Sequence, residues 1–281
     1  MVTQSIFDGR LNGTSSELKM KVDILGSQIS VWNLDETVSA VIDLAKRSQK
    51  AGDKHYVCIS NVHTVVTGFQ NPDYAAVTNG ATIATADGVP LIWASKLFHK
   101  SRGSNVIHGR ASGPNIMARV FEQDDTFRHY FYGSTQDVLD ELKKNLSTKF
   151  PKLQCAGFFS PPFRQAQTPQ TPLTNEEIED CKRINESNAD IVWVGLGAPK
   201  QEIWMYRARK HLTAPVLVGV GAAFDFLAGN KKRAPQWMQK AGLEWSYRMI
   251  QEPKRLASRY MKTNPVFLAQ VFKEFLKTSL R

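Results

Sequence analysis

Between residues 22 and 220 the chain alternates short apolar runs with longer amphipathic stretches, and this alternation restricts its folding more than any other feature. The apolar runs fall at 22–25, 56–60, 82–86, 129–132, 153–159, 190–194 and 216–220. Each is too short for a helix and is bounded by turn formers, as expected of strands buried on both faces. The stretches between them carry helix signals. Asn33 and Glu36 have capping-box spacing ahead of a helix predicted over 34–48. Thr174 and Glu177 repeat that spacing before a helix that runs to about Ser187. Further helices are predicted over 89–98, over 136–149 and from about Pro199, a good first-turn residue. Strand and helix in alternation build an α/β protein with a mainly parallel sheet. The stretch 160–173 carries four prolines and is a loop.

From residue 234 onward no strand-like run remains, and Pro235, Gly242, Pro253 and Pro265 punctuate short helical pieces. Charge changes at the same place. Residues 231–281 hold 12 Lys/Arg against 3 Asp/Glu, whereas the preceding 230 hold 24 against 23. The expected organisation is therefore a flexible leader over 1–20, an α/β body over 21–230 and a basic helical appendage over 231–281. A hydrophobic content of 42% over 281 residues supports a real core and excludes disorder or fibrous repeats over most of the length. The appendage interleaves bases with aromatics: Lys231, Lys232, Arg233, Trp237, Trp245, Tyr247, Arg248, Lys254, Arg255, Arg259, Tyr260 and Lys262. Three readings are open for it: a helix at an anionic membrane surface, a contact for nucleic-acid phosphates, or a helix packed on the body with a solvated basic face. Cys58, Cys155 and Cys181 form neither a CxxC pair nor a zinc pattern, which fits reduced thiols in a cytoplasmic protein. The N-terminus lacks the apolar core of a signal peptide, and no run approaches the length of a membrane span.

Ligands of open α/β sheets bind beyond the carboxyl ends of strands. Four such turns stand out: Ser60-Asn61, Ala86-Asp87-Gly88, the glycine-containing stretch 195–201, and 219–224. Their glycines, Gly88, Gly197 and Gly221 among them, let a ligand approach the backbone, and helix N-termini offer free N–H groups to phosphate. The last turn begins like GxGxxG, but Phe224 stands at the third glycine position and no strand follows with an acidic end, which argues against a nicotinamide or flavin cofactor. No P-loop, HExxH or DxD spacing is present, so neither a metal nor a cofactor is expected. Asp87 at a strand end could take a proton from an attacking hydroxyl, or could merely cap the following helix. Asp225, between two phenylalanines, is either a site residue or a hydrogen-bonded structural carboxylate. Lys200 and Gln201 fall in the first turn of a helix, where phosphate is welcome and Gln201 suits sugar hydroxyls or a base edge; the alternative is an ordinary surface turn. His63 reads as an ordinary packed or surface histidine.

Taken in order, Asp87-Gly-Val-Pro-Leu, Gly195-Leu-Gly-Ala-Pro-Lys-Gln-Glu, Gly219-Val-Gly-Ala-Ala-Phe-Asp-Phe-Leu-Ala-Gly, Arg233-Ala-Pro-Gln-Trp-Met, Gly242-Leu-Glu-Trp-Ser-Tyr-Arg, Gln251-Glu-Pro-Lys-Arg and Arg259-Tyr260 resemble the WecG/TagA/CpsF glycosyltransferases of bacteria. The likeness covers about residues 20–268. It implies a Rossmann-like body whose C-terminal appendage helps form the active site. It also implies inverting transfer of a sugar, of N-acetylmannosamine type or another hexose, from a UDP-sugar donor to a lipid-diphosphate-linked saccharide acceptor. The implied location is cytoplasmic, peripheral on the inner face of the cell membrane, with an anionic membrane surface as partner, no nucleic acid, and a homo-oligomer left open. By the resemblance Asp87 is the base, Asn61 and Gln201 lie in the pocket, and Arg248, Arg255 and Arg259 grip diphosphate. The family's Arg-x-x-Gly-x-Asp stretch reads here from Arg110 to Asn115, with Asn in place of the Asp that could bind sugar hydroxyls.

Overall fold

The computed structural model describes residues 20–99 and 105–279, so the leader expected over 1–20 lies almost wholly outside the described residues. The described chain opens with β1 (Lys21–Ile24) and β2 (Ser27–Ser30), an antiparallel hairpin separate from the main sheet. There follow α1 (Leu34–Ala51), β3 (His55–Ser60), α2 (Val62–Gln70), α3 (Pro72–Asn79), β4 (Ile83–Ala86), α4 (Val89–His99) and α5 (Gly113–Gln123). Next come β5 (Arg128–Gly133), α6 (Gln136–Lys149), β6 (Gln154–Phe159), α7 (Asn175–Glu186), β7 (Ile191–Gly195), α8 (Lys200–Ala208) and β8 (Val216–Gly219). The chain ends in α9 (Ala223–Leu227), α10 (Gln236–Lys240), α11 (Glu244–Gln251) and α12 (Pro253–Ser279). Strands β3 to β8 form one six-stranded sheet in the order β4-β3-β8-β7-β5-β6, parallel throughout.

The two faces of this sheet carry different cores, because successive side chains of a strand point to opposite sides. On one face Val57, Ile59, Phe131, Trp193 and Val218 pack with residues of α1, α5 and α6. On the other Tyr56, Cys58, Tyr130, Tyr132, Val192 and Leu217 pack with α7 and α8. Both capping boxes form as their spacing predicts, Asn33 with Glu36 and Thr174 with Glu177. The α/β class and the parallel sheet follow the sequence pattern. Three points differ from it. The run 22–25 pairs with Ser27–Ser30 in the side hairpin rather than joining the sheet. Helices α2, α3 and α5 are not among the predicted ones, although Asn61 caps α2 and Asn71-Pro72 begins α3; Asn71 ends one helix and begins the next. Finally, α12 runs 27 residues through Pro265, where a break was expected. A proline inside a helix costs one N–H bond. Here Pro265 is exposed to solvent, so water can satisfy the freed carbonyl, while Leu256, Thr263 and Phe267 hold the other side of the helix down.

The C-terminal segment does not stand apart. Helix α12 packs against α2 and α4, and Phe267 joins the core of the body. Cys58 and Cys181 are buried free thiols and Cys155 is an exposed one. Among the described residues no helix is long and apolar enough to cross a membrane.

Candidate active site

The four turns singled out in the sequence meet at one end of the sheet, because β4, β3, β8 and β7 are consecutive neighbours and all point the same way. Two adjoining cavities open there, of about 300 and about 110 Å³. They share Asn61, His63, Asp87, Arg110, Glu244, Arg248 and Arg259. The larger lies toward α4 and α12 and also takes in Gly88 and apolar side chains. The smaller lies over the β7 and β8 ends and adds Gly197, Gln201, Gly221, Arg233 and Arg255.

Asp87 is held at this junction from both sides. Its N–H extends the β3–β4 ladder by donating to Ser60 O at 2.8 Å. The segment ahead of α5 runs along the same edge, with Ala111 N donating to Ala86 O and Thr85 Oγ1 to Ala111 O. That places Arg110 beside Asp87. Its Nε donates to the Asp87 carbonyl at 2.6 Å, and its Nε and Nη2 donate to Oδ1 at 3.1 and 2.9 Å. Arg110 Nη2 also pairs with Glu244 at 2.5 Å. The Asp87 carboxylate thus engages an arginine, and its side chain keeps 24% of its surface exposed at the cavity. Burial pushes its pKa up; Arg110 opposes the shift and Glu244 adds to it. A carboxylate held above its ordinary range is better suited to accept a proton at neutral pH.

Around it stand arginines short of counter-charge. Burial and the neighbouring Arg255 and Arg248 lower the pKa of Arg259. The Nε atoms of Arg233 and Arg248 are buried without an acceptor. Arg248 lies over the Phe226 ring at 5.6 Å, and Arg255 is tied to Glu252 at 2.6 Å. Such a cluster calls for an anionic ligand with several oxygens. His63, also in both cavities, is held neutral: burial, reinforced by Arg259, lowers its pKa to about 4. No group of described residues has the make-up of a metal site.

Gln201 is buried under the smaller cavity with its amide fixed. Its Oε1 accepts from Gly197 N at 3.1 Å and its Nε2 donates to Glu202 Oε1 at 2.8 Å. Gly197 reaches this geometry at φ 78°, in the left-handed region that favours glycine. Glu202 itself is 1% exposed and forms no salt bridge among the described residues, and burial raises its pKa from 4.5 to about 7. The folded chain therefore keeps a proton that the unfolded chain releases between those two values. Stability from this group is full below pH 4.5 and falls as pH rises to about 7, by about 3 kcal/mol. Glu202→Gln is expected to remove that slope, read by denaturant unfolding at pH 5 and pH 8. An unchanged slope would assign the dependence to other groups.

Of the residues singled out from sequence, Asn61, Asp87, Gly88, Arg110, Gly197, Gln201, Gly221, Arg248, Arg255 and Arg259 line the two cavities. Three lie elsewhere. Lys200 turns to a separate cavity of about 450 Å³ under the proline loop, with Nζ on the Arg164 carbonyl at 2.8 Å and over the Phe163 ring. Asp225 pairs with Lys231 at 3.0 Å and is half-buried, outside the lining of both cavities. Asn115 accepts from Arg233 Nη1 at 2.6 Å and so reaches the smaller cavity only through that arginine. His63, Arg233 and Glu244 were not marked as site residues in the sequence. His63 alone had a usable signal, standing three residues past the end of β3.

A model of the glycosyl transferase WecG/TagA/CpsF family matches residues 22–281. An N-acetylglucosaminyldiphosphoundecaprenol N-acetyl-beta-D-mannosaminyltransferase of Bacillus spizizenii is 29% identical over 220 residues, 78% of this chain and 79% of its own. The protein of the same description from Bacillus subtilis is 28% identical over 232 residues, 79% of this chain and 84% of its own. Among solved structures, a mutant arylmalonate decarboxylase matches at 16% identity with a TM-score of 0.27, covering 72% of this chain and 78% of that one.

Proposed function

Because this chain belongs to the WecG/TagA/CpsF family of glycosyltransferases, we propose that it moves an N-acetylmannosamine-type hexose from a UDP-sugar to a saccharide carried on a polyprenyl diphosphate, with inversion at the anomeric carbon. The relatives whose names give an acceptor act on N-acetylglucosaminyldiphosphoundecaprenol, which supports an acceptor of that class here. The observation that carries the reading is that Asp87 lines both cavities. The smaller, walled by the glycine turns after β7 and β8 and by Arg233 and Arg255, suits the nucleotide diphosphate. The larger suits the acceptor. At their junction Asp87 takes the proton of the acceptor hydroxyl as its oxygen bonds to the sugar C1 and the C1–O bond to UDP breaks. The arginines and backbone N–H groups stabilise the charge that develops on the departing diphosphate.

The surface of α12 supports a membrane-bound substrate. Met261, Leu268, Phe272, Phe275 and Leu276 are exposed along one stripe at helical spacing, and Lys262, Lys273 and Lys277 flank it. An amphipathic basic helix of this kind lies in the headgroup region of an anionic membrane. The site arginines face a cavity shared with Asp87 and Glu244, which suits a small phosphorylated ligand better than a nucleic-acid backbone.

The test is a panel of UDP-sugars incubated with the full chain and a GlcNAc-diphosphate lipid, with the product identified by mass and the new linkage by NMR. A single β-linked disaccharide lipid from UDP-N-acetylmannosamine is expected. Absence of any transfer across the panel would overturn the reading.

A further inference from the structure

The larger cavity changes character from one end to the other. Its inner end holds Asp87, Arg110, Arg248 and Arg259, and its outer part runs between the start of α4 and the middle of α12. There the walls are mainly apolar, with Gln239, Tyr260 and Asn264 as polar members. Val89 and Pro90 stand on the α4 side, Phe267 and Leu268 on the α12 side, and Trp245 closes the gap. Gly242 backs this wall: a Cβ on it would lie 3.1 Å from Val89 Cβ, so α4 and the turn before α11 touch closely. Phe267 is 3% exposed, a fixed part of the core, while Leu268 next to it is 66% exposed. Leu268 therefore belongs both to the cavity wall and to the exposed apolar stripe of α12. The apolar mouth of the cavity thus meets that stripe at Leu268, with Asn264 one turn earlier on α12 as a polar neighbour.

From this we propose that the channel between α4 and α12 is the seat of the acceptor's isoprenoid chain. It receives the isoprene units next to the diphosphate, with the chain leaving over Leu268 toward the membrane. This rests on the glycosyltransferase reading above and adds where the lipid lies. The charge pattern selects the occupant. A diphosphate ester of an isoprenoid is a doubly charged head on a branched apolar chain. The cavity offers guanidinium groups where it adjoins the smaller cavity and mainly aliphatic and aromatic walls in the part that it does not share. A free sugar nucleotide would leave the outer apolar walls in contact with water. A lipid held this way need not leave the bilayer to bring its sugar hydroxyl to Asp87.

The experiment uses the full chain in detergent micelles, so that membrane attachment does not enter, with GlcNAc-diphosphate acceptors bearing a long isoprenoid, a two-isoprene chain or a methyl group. The wild type is expected to show kcat/KM rising with the first isoprene units. Leu268→Ser is expected to lose about tenfold in kcat/KM for the long-chain acceptor, the worth of one leucine contact, and little for the methyl acceptor. Phe69→Ser serves as control, because Phe69 is an exposed apolar side chain outside both the stripe and the cavity, and it is expected to match the wild type. Transfer that ignores chain length, or equal losses from Leu268→Ser on all acceptors, would overturn this proposal and leave the glycosyltransferase reading standing. No transfer to any acceptor would overturn both.

Discussion

Asp87→Asn is expected to lower the transfer rate by about a thousandfold while donor affinity stays near that of the parent, since general-base catalysis is worth two to four orders of magnitude. The asparagine is isosteric and still accepts from Arg110, so the cavity walls keep their shape. What it cannot do is take a proton. The same carboxylate is expected to set the pH profile. The base works ionised, so kcat/KM rises with pH through the pKa of Asp87 and is flat above it. Burial and the neighbouring Glu244 hold that pKa above the ordinary carboxylate value, so the acid limb should lie correspondingly high. Glu244→Gln removes a like charge and should move the limb to lower pH. Full activity of Asp87→Asn, or an acid limb that Glu244→Gln leaves in place, would take Asp87 out of the proton transfer.

The second large effect is expected from the arginines. Arg248→Ala with Arg259→Ala should reduce kcat/KM by at least about a hundredfold, the scale of one lost transition-state donor. Both side chains line both cavities, so donor and acceptor should suffer together. Replacing the pair by lysine restores charge without the planar fork of donors, and partial recovery is expected. Removing two mutually repelling, half-buried cations also removes repulsion that, beside burial, lowers the pKa of Arg259. Thermal stability should therefore hold or rise as activity falls. A parallel loss of stability and activity would show that these arginines hold the fold rather than the ligand.

Much of the site could be read from local pattern because strand ends and glycine turns are local events. Ala86-Asp87-Gly88 ends an apolar run, and the glycine turns at 195–197 and 219–221 end two others, so their place at the carboxyl edge follows once the strands are parallel. The order β4-β3-β8-β7 was not legible, because strand order in a parallel sheet is decided by how distant helices pack. Lys200 shows the cost of that. It stands next to Gln201 in the sequence, yet on the first turn of α8 the two side chains point into different cavities. Asn115 shows another limit. The sequence offers an amide where the resemblance leads one to expect a carboxylate, but only the tertiary structure reveals that its partner is Arg233.

Local stretches of the chain therefore carry the strand–helix alternation, the capped helix starts and the acid at a strand end, and a count of charges carries the basic C-terminal fifth. Tertiary structure alone decided that the basic segment folds back onto α2 and α4, carrying Arg248, Arg259 and Glu244 to within reach of Asp87. That return rests on the packing of α12 against α2 and α4 and on Phe267 joining the core of the body, and these helices lie more than 150 residues away in the chain. Burial of apolar surface is non-directional, so no local pattern names the face on which such a helix will settle.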